Sequence, residues 1–193
     1  MTIPDLAPYG KHLLDPSGGI SGMSTDIRHL AMMWRAVEQS HPDTIVEVGS
    51  YRGGSACLWL EALKHGYTKT VHLFEPSPTP QLLDLIRQDP LHIVLHRQSY
   101  FEFPLYADFI FVDGDHQWPA IADLFAAVVR KCDIIAMHDS MGFVSERYSD
   151  CWGSWLGANI LRQADDYAIL EDYAARPGTR CERGFLMARR VSP

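Results

Sequence analysis

The residues best suited to chemistry stand at the ends of short apolar runs. DFIFVDGDH (108–116) sets Asp113, Asp115 and His116 just after Phe, Ile, Phe and Val, and IIAMHDS (134–140) sets His138 and Asp139 after a second such run. If the two runs are neighbouring strands, Asp113, His138 and Asp139 meet at one sheet edge as two carboxylates and an imidazole. That donor set can hold a divalent cation: oxygens suit Mg2+ or Mn2+, and the nitrogen shifts the preference towards Mn2+, Fe2+ or Zn2+. A histidine of ordinary pKa, about 6.5, is also the natural general base at neutral pH. A plainer reading stays open beside this one, in which Asp113 and Asp139 cap backbone N–H groups and His138 is a satisfied, half-buried histidine.

A second constellation is glycine-rich. In EVGSYRGGS (47–55), Gly49 permits a tight turn and close backbone approach, and Gly53 and Gly54 let a helix start with its N–H groups facing a ligand. The dinucleotide fingerprint sets its glycines at relative positions of about 0, 2 and 5. Here they fall at 0, 4 and 5 with Glu47 just before the loop. A pyrophosphate is disfavoured beside that carboxylate, whereas an ammonium or sulfonium group is tolerated. Glu75 closes TVHLFE (70–75), 28 residues after Glu47, where a carboxylate can accept from both hydroxyls of a ribose. The alternatives are a glycine turn without a ligand and a solvated strand-end Glu.

The elements that must position these residues follow from periodicity. Ser24 or Thr25 can cap a helix whose Ile27, Leu30, Ala31, Trp34 and Val37 share one face, with Pro42 closing the segment. The pattern then alternates: strands at 44–48, 70–75, 92–96, 107–113 and 133–138, and helices at 55–64, from Thr79–Pro80, and from Pro119. Strands without clean alternation, separated by amphipathic helices, predict a parallel sheet buried on both faces. CWGSWLGANILRQ reads as a helix, and YAILEDYA (167–174) and ERGFLMARR (182–190), joined by RPGTRC, read as a hairpin. The fold class expected is α/β, a Rossmann-like doubly wound seven-stranded sheet, mostly parallel with a C-terminal antiparallel hairpin. Ligands bind such sheets beyond the carboxyl ends of the strands, where Gly49, Glu75, Asp113 and His138 fall. Residues 1–23, dense in Pro and Gly, form an irregular arm, and 24–193 a single domain.

Composition narrows the partners. The 193 residues carry 24 acidic and 17 basic side chains, a net charge of −7, the opposite sign to a protein built to grip phosphate backbones. No apolar run approaches the roughly 18 residues of a spanning helix, and no basic-then-apolar signal opens the chain. Cys57, Cys132, Cys151 and Cys181 show no CxxC spacing and read as reduced thiols of a cytoplasmic protein. His41, His65, His72, His92 and His96 match no ligand spacing and read as solvent or packing residues. Trp118, Tyr148, Trp152 and Trp155 either wall an acceptor or belong to the core; the arginines at 176, 180, 183, 189 and 190 read as a solvated hairpin.

Taken together, EVGSYRGGS, LFEP, DFIFVDGDH and IIAMHDS resemble the class I S-adenosylmethionine-dependent methyltransferases, most closely the small-molecule O-methyltransferase branch with macrocin O-methyltransferases and cephalosporin-hydroxylase-like proteins. The resemblance runs from Ser24 to Asp139. It implies methyl transfer from S-adenosylmethionine to a hydroxyl of a sugar-like or other hydroxylated small molecule. Glu47 and Gly49 would line the methionine end, with Ser50, Tyr51, Gly53, Gly54 and Ser55 completing the loop. Glu75 would hold the ribose and Ser99 the adenine, although Gln98 stands where the family often has glycine. Asp113 would serve both cofactor and metal, joined by His138 and Asp139 around Mg2+ or another divalent cation, and His116 would be the base. His138 departs from the acidic residue common at its position. The rivals are a non-catalytic or degenerate cofactor-binding protein and, opposed by the glycine offsets, a nicotinamide-dependent oxidoreductase. Methylation of RNA or DNA is opposed by the acidity and by the lack of an Asn-Pro-Pro-aromatic motif. Whether the arm folds over the site or pairs two copies into a homo-oligomer is left open.

Overall fold

The computed structural model describes residues 3–10, 27–98, 107–114, 132–140, 152–172 and 184–191, without the side chains of Ile27, Trp152, Glu171 and Asp172. The chain divides into two compact units, residues 1–99 and 100–193. The helix expected from Pro119, most of the arm, Ser99, Asp115, His116, Trp118, Tyr148 and the arginines at 176, 180 and 183 lie outside the described residues.

In the first unit a 3-10 turn, Ala7–Tyr9, precedes helix α1 (Ile27–Ser40). Then β1 (Thr44–Val48), α2 (Ala56–Lys64), β2 (Thr70–Phe74), α3 (Pro80–Ile86) and β3 (Ile93–His96) alternate. The strands run parallel in the order β3-β2-β1, Glu47 opposite Leu73 and Leu73 opposite Leu95. Ile45, Val71 and Leu73 on one face and Val46, Val48 and Phe74 on the other are all buried, so both faces are covered and the sequence shows no alternation. α2 buries Ala56, Cys57, Leu58, Trp59, Leu60 and Ala62. α1 buries Leu30, Trp34 and Val37 as expected, but Met33 and Ala36 take the place foreseen for Ala31. Thr79 caps α3, its Oγ1 accepting from the Leu82 N–H at 3.3 Å, with Pro80 in the first turn. Part of the arm is docked: the Tyr9 hydroxyl donates to Glu61, and Lys64 Nζ donates to the Tyr9 oxygen and, at 2.7 Å, to Glu61. Tyr9 and Leu6 are buried.

The second unit contains β4 (Phe109–Val112), β5 (Ile134–His138), α4 (Trp152–Arg162), β6 (Tyr167–Asp172) and β7 (Phe185–Arg190). β4 and β5 are parallel, with Val112 opposite Met137. β7 is antiparallel to both β5 and β6, so the last strand enters between them. The seven strands thus follow the expected pattern, parallel pairing closed by an antiparallel pair. Cys57 and Cys132 are buried free thiols. Burial pushes both upward, Cys132 to about 12, which leaves them unreactive. Among the described residues no helix is long and apolar enough to cross a membrane.

Candidate functional site

In the first unit the loop after β1 is bent by left-handed residues at every second position: Gly49 (φ 88°), Tyr51 (φ 41°) and Gly53 (φ 87°). Glycine adopts this conformation without strain, whereas for Tyr51 it costs about 1–2 kcal/mol. The Gly49 N–H donates to the Phe74 carbonyl at 2.9 Å, tying the end of β1 to the end of β2, and the Gly53 N–H closes back on the Ser50 carbonyl at 2.7 Å.

Glu47 lies beneath this loop and is wholly buried. Its Oε1 accepts from the Ser55 hydroxyl at 2.5 Å and its Oε2 from Trp59 Nε1–H at 2.5 Å. A buried carboxylate is tolerable when such donors meet it. The consequence appears at the start of α2. Ser55 has the position and residue type of an N-cap, yet its side chain does not cap: its backbone is already helical (φ −75°, ψ −33°) rather than extended, and its hydroxyl is turned to Glu47. The N–H groups of Gly54 and Ser55, with that of Ser50, have no acceptor among the described residues. Ser50 Oγ is buried and also without a hydrogen-bond partner. An unpaired buried hydroxyl costs about 1–3 kcal/mol, and open N–H groups at a helix start favour an anionic or acceptor-rich ligand.

Glu75 stands beside the loop. Its Oε2 accepts from the Tyr51 N–H at 2.9 Å and its Oε1 from the Ser77 N–H at 3.0 Å. Each carboxylate oxygen has a second lone pair, so the group can still accept from a ligand. Tyr51 is 41% exposed, with the Arg52 guanidinium over its ring at 5.2 Å.

In the second unit the register that sets Val112 opposite Met137 carries the next residues, Asp113 and His138, to the same edge. His138 Nδ1 lies 3.2 Å from an Asp113 oxygen and 3.3 Å from an Asp139 oxygen, with His138 and Asp139 buried and Asp113 about one-fifth exposed. One ligand atom from each of the three falls within 4.8 Å of the others. Burial by itself would lower the His138 pKa, but the charge and hydrogen bond of Asp113, reinforced by Asp139, reverse this and raise it to about 10. Asp139 holds φ 55°, a left-handed conformation unusual outside glycine. The next residue, Ser140, has a buried hydroxyl without a hydrogen-bond partner. Two oxygens and a nitrogen converging at a strained strand end fit a divalent cation.

The structure thus groups the loop residues with Glu75 in one unit, and Asp113 with His138 and Asp139 in the other. Sequence reasoning missed the Trp59 indole on Glu47, the bond that the Thr79 hydroxyl donates to the Tyr51 carbonyl at 3.0 Å, and the orphaned Ser140 hydroxyl. It also missed a histidine pair: His72 Nδ1 and His96 Nε2 are 2.9 Å apart, and the His96 ring stacks on Phe74.

Residues 46–140 match a family described as a methyltransferase domain. No functionally curated protein matches the sequence. An O-methyltransferase from Bacillus cereus, solved with SAH, is 15% identical with a TM-score of 0.66, over 95% of this chain and 96% of that one. The methyltransferase PaMTH1 of Podospora anserina, also SAH-bound, is 14% identical with a TM-score of 0.68, over 98% and 89%. TomG of Streptomyces achromogenes, an O-methyltransferase involved in tomaymycin synthesis and solved with SAM, is 13% identical with a TM-score of 0.67, over 90% and 84%. At these identities the likeness shows the fold.

Proposed function

We propose that this chain, whose residues 46–140 match a methyltransferase-domain family, transfers the methyl group of S-adenosylmethionine to a hydroxyl oxygen of a small molecule. The observation that carries the reading is the loop after β1: open N–H groups and an orphaned, buried Ser50 hydroxyl beside a carboxylate, Glu75, with lone pairs to spare. An amino-acid nucleoside satisfies this arrangement at both ends. Its carboxylate meets the start of α2, and its ribose hydroxyls donate to Glu75. Gly49, Ser50, Tyr51, Gly53, Gly54 and Ser55 form the cradle. Glu47, buried against Ser55 and Trp59, acts by holding that cradle in shape. Ser99 is assigned to the adenine.

S-adenosylmethionine, when bound, supplies an electrophilic methyl carbon: the carbon–sulfur bond breaks as the carbon–oxygen bond forms, leaving S-adenosylhomocysteine. The acceptor hydroxyl must lose its proton, and His116 is the residue assigned to take it. Asp113, His138 and Asp139 are assigned to a divalent cation, which when bound lowers the pKa of a hydroxyl beside it. The charge pairing of His138 with both carboxylates favours a second reading, in which the imidazolium itself neutralises them and no cation is required. Activity in EDTA, with and without added Mn2+, separates the two. The acceptor is taken to be hydroxylated and sugar-like, the protein cytoplasmic, and nucleic acid is opposed by the net charge of −7.

The test is thermal. S-adenosylhomocysteine should raise the melting temperature of the wild type, and Glu75→Ala should remove most of the rise. An unchanged rise in the variant would take Glu75 away from the ribose; no rise in the wild type would end the proposal.

A further inference from the structure

The loop that makes the cradle is held by a residue whose only evident task is to start another helix. Three hydrogen bonds join it to the end of β2 and the connection that leads to α3. The Gly49 N–H donates to Phe74 O at 2.9 Å, the Tyr51 N–H donates to Glu75 Oε2 at 2.9 Å, and the Thr79 hydroxyl donates to Tyr51 O at 3.0 Å. Tyr51 is therefore gripped at both its backbone polar groups, and it is the one non-glycine residue of the loop in the left-handed region. Left alone, it would relax towards a right-handed or extended conformation. The same Thr79 oxygen also accepts from the Leu82 N–H at 3.3 Å.

This double use is chemically selective. Capping α3 needs only an acceptor, which Asp, Asn, Ser or Thr supplies equally well. Holding the Tyr51 carbonyl needs a donor as well, and a hydroxyl is donor and acceptor at once while an ionised Asp only accepts. Because Glu75 spends one lone pair on the Tyr51 N–H, the direction left for a ribose depends on where Tyr51 is held. We propose that Thr79 is a positioning residue for the nucleoside site, acting through Tyr51 to fix the carboxylate of Glu75 and the cradle together. The inference rests on the cofactor reading above.

The experiment is calorimetry of S-adenosylhomocysteine with wild type, Thr79→Ser and Thr79→Asp, alongside melting curves without ligand. Thr79→Asp keeps the cap and loses the donor, so its unliganded melting temperature should stay near the wild type. Its Kd should rise about two- to tenfold, the range expected for one neutral hydrogen bond. The rise should persist at high salt, which screens the added charge. Thr79→Ser keeps both functions and should bind like the wild type. If Thr79→Asp does not fold, Thr79→Ala takes its place with the same expected rise. An unchanged Kd in the donor-less variant, or an equal loss in Thr79→Ser, overturns the inference while leaving the cofactor reading intact. A wild type that does not bind overturns both.

Discussion

Replacing Trp59 with Phe should weaken the protein far more than the loss of ring area suggests, because the indole N–H supports a buried charge. Trp59 and Glu47 are both wholly buried, and the N–H meets Glu47 Oε2 at 2.5 Å. Phenylalanine removes that donor from a buried anion, a loss of about 1.5–3 kcal/mol for a hydrogen bond to a charged group. The smaller ring adds about 1 kcal/mol for imperfect filling. The sum is roughly 2.5–4 kcal/mol, or about 5–15 °C in Tm for a chain of this length. Urea unfolding followed by far-ultraviolet circular dichroism measures it without depending on tryptophan emission. The decisive control is Glu47→Leu, since replacing a buried charge by an apolar residue of similar volume is often tolerated. In that background Trp59→Phe should cost only the packing part, so the coupling energy should be about 1.5–3 kcal/mol. A coupling near zero would refute the claim that Glu47 is held by Trp59.

Three further outcomes are expected. EDTA should abolish methyl transfer and Mn2+ or Mg2+ should restore it; full activity in chelator would favour the imidazolium reading of His138. His116→Ala should lower kcat by about 10²–10⁴-fold if His116 removes the acceptor proton, and native turnover would dismiss that role. In metal-free protein, His138 is raised to about 10 when folded against about 6.5 when unfolded. Its contribution to stability is therefore fully present below the unfolded value and is lost as pH rises towards 10. Melting curves from pH 6 to about 10 should show this decline, His138→Asn should flatten it, and a rise across that window would contradict the assignment.

Much of the architecture was readable because local signals agreed with it. TIVEV ends at a glycine that takes φ 88°, and β1 runs Thr44–Val48 as written. Thr79–Pro80 announced a helix start that Leu82 N–H confirms. What the sequence could not show depends on register and on rotation about a helix. His72 and His96 meet only because β2 and β3 pair with His72 opposite Val94, and nothing in their spacing of 24 residues encodes that. Trp59 reaches Glu47 because α2 presents that face to β1, while the apolar neighbours of Trp59 along α2 make it read as ordinary core. The hairpin was legible as a pair, but the insertion of β7 beside β5 is a long-range choice made by packing. For the candidate site, residue types were legible and hydrogen-bond direction was not: that Ser55 gives its proton to Glu47 and leaves the start of α2 open follows from coordinates alone.

The most direct measurement is a crystal structure of the protein soaked with S-adenosylhomocysteine. The nucleoside should lie along the loop from Gly49 to Ser55, its ribose hydroxyls on the Glu75 carboxylate and the Ser50 hydroxyl no longer unpartnered. A loop that stays empty at saturating ligand, or a nucleoside bound away from Glu75, would contradict the account.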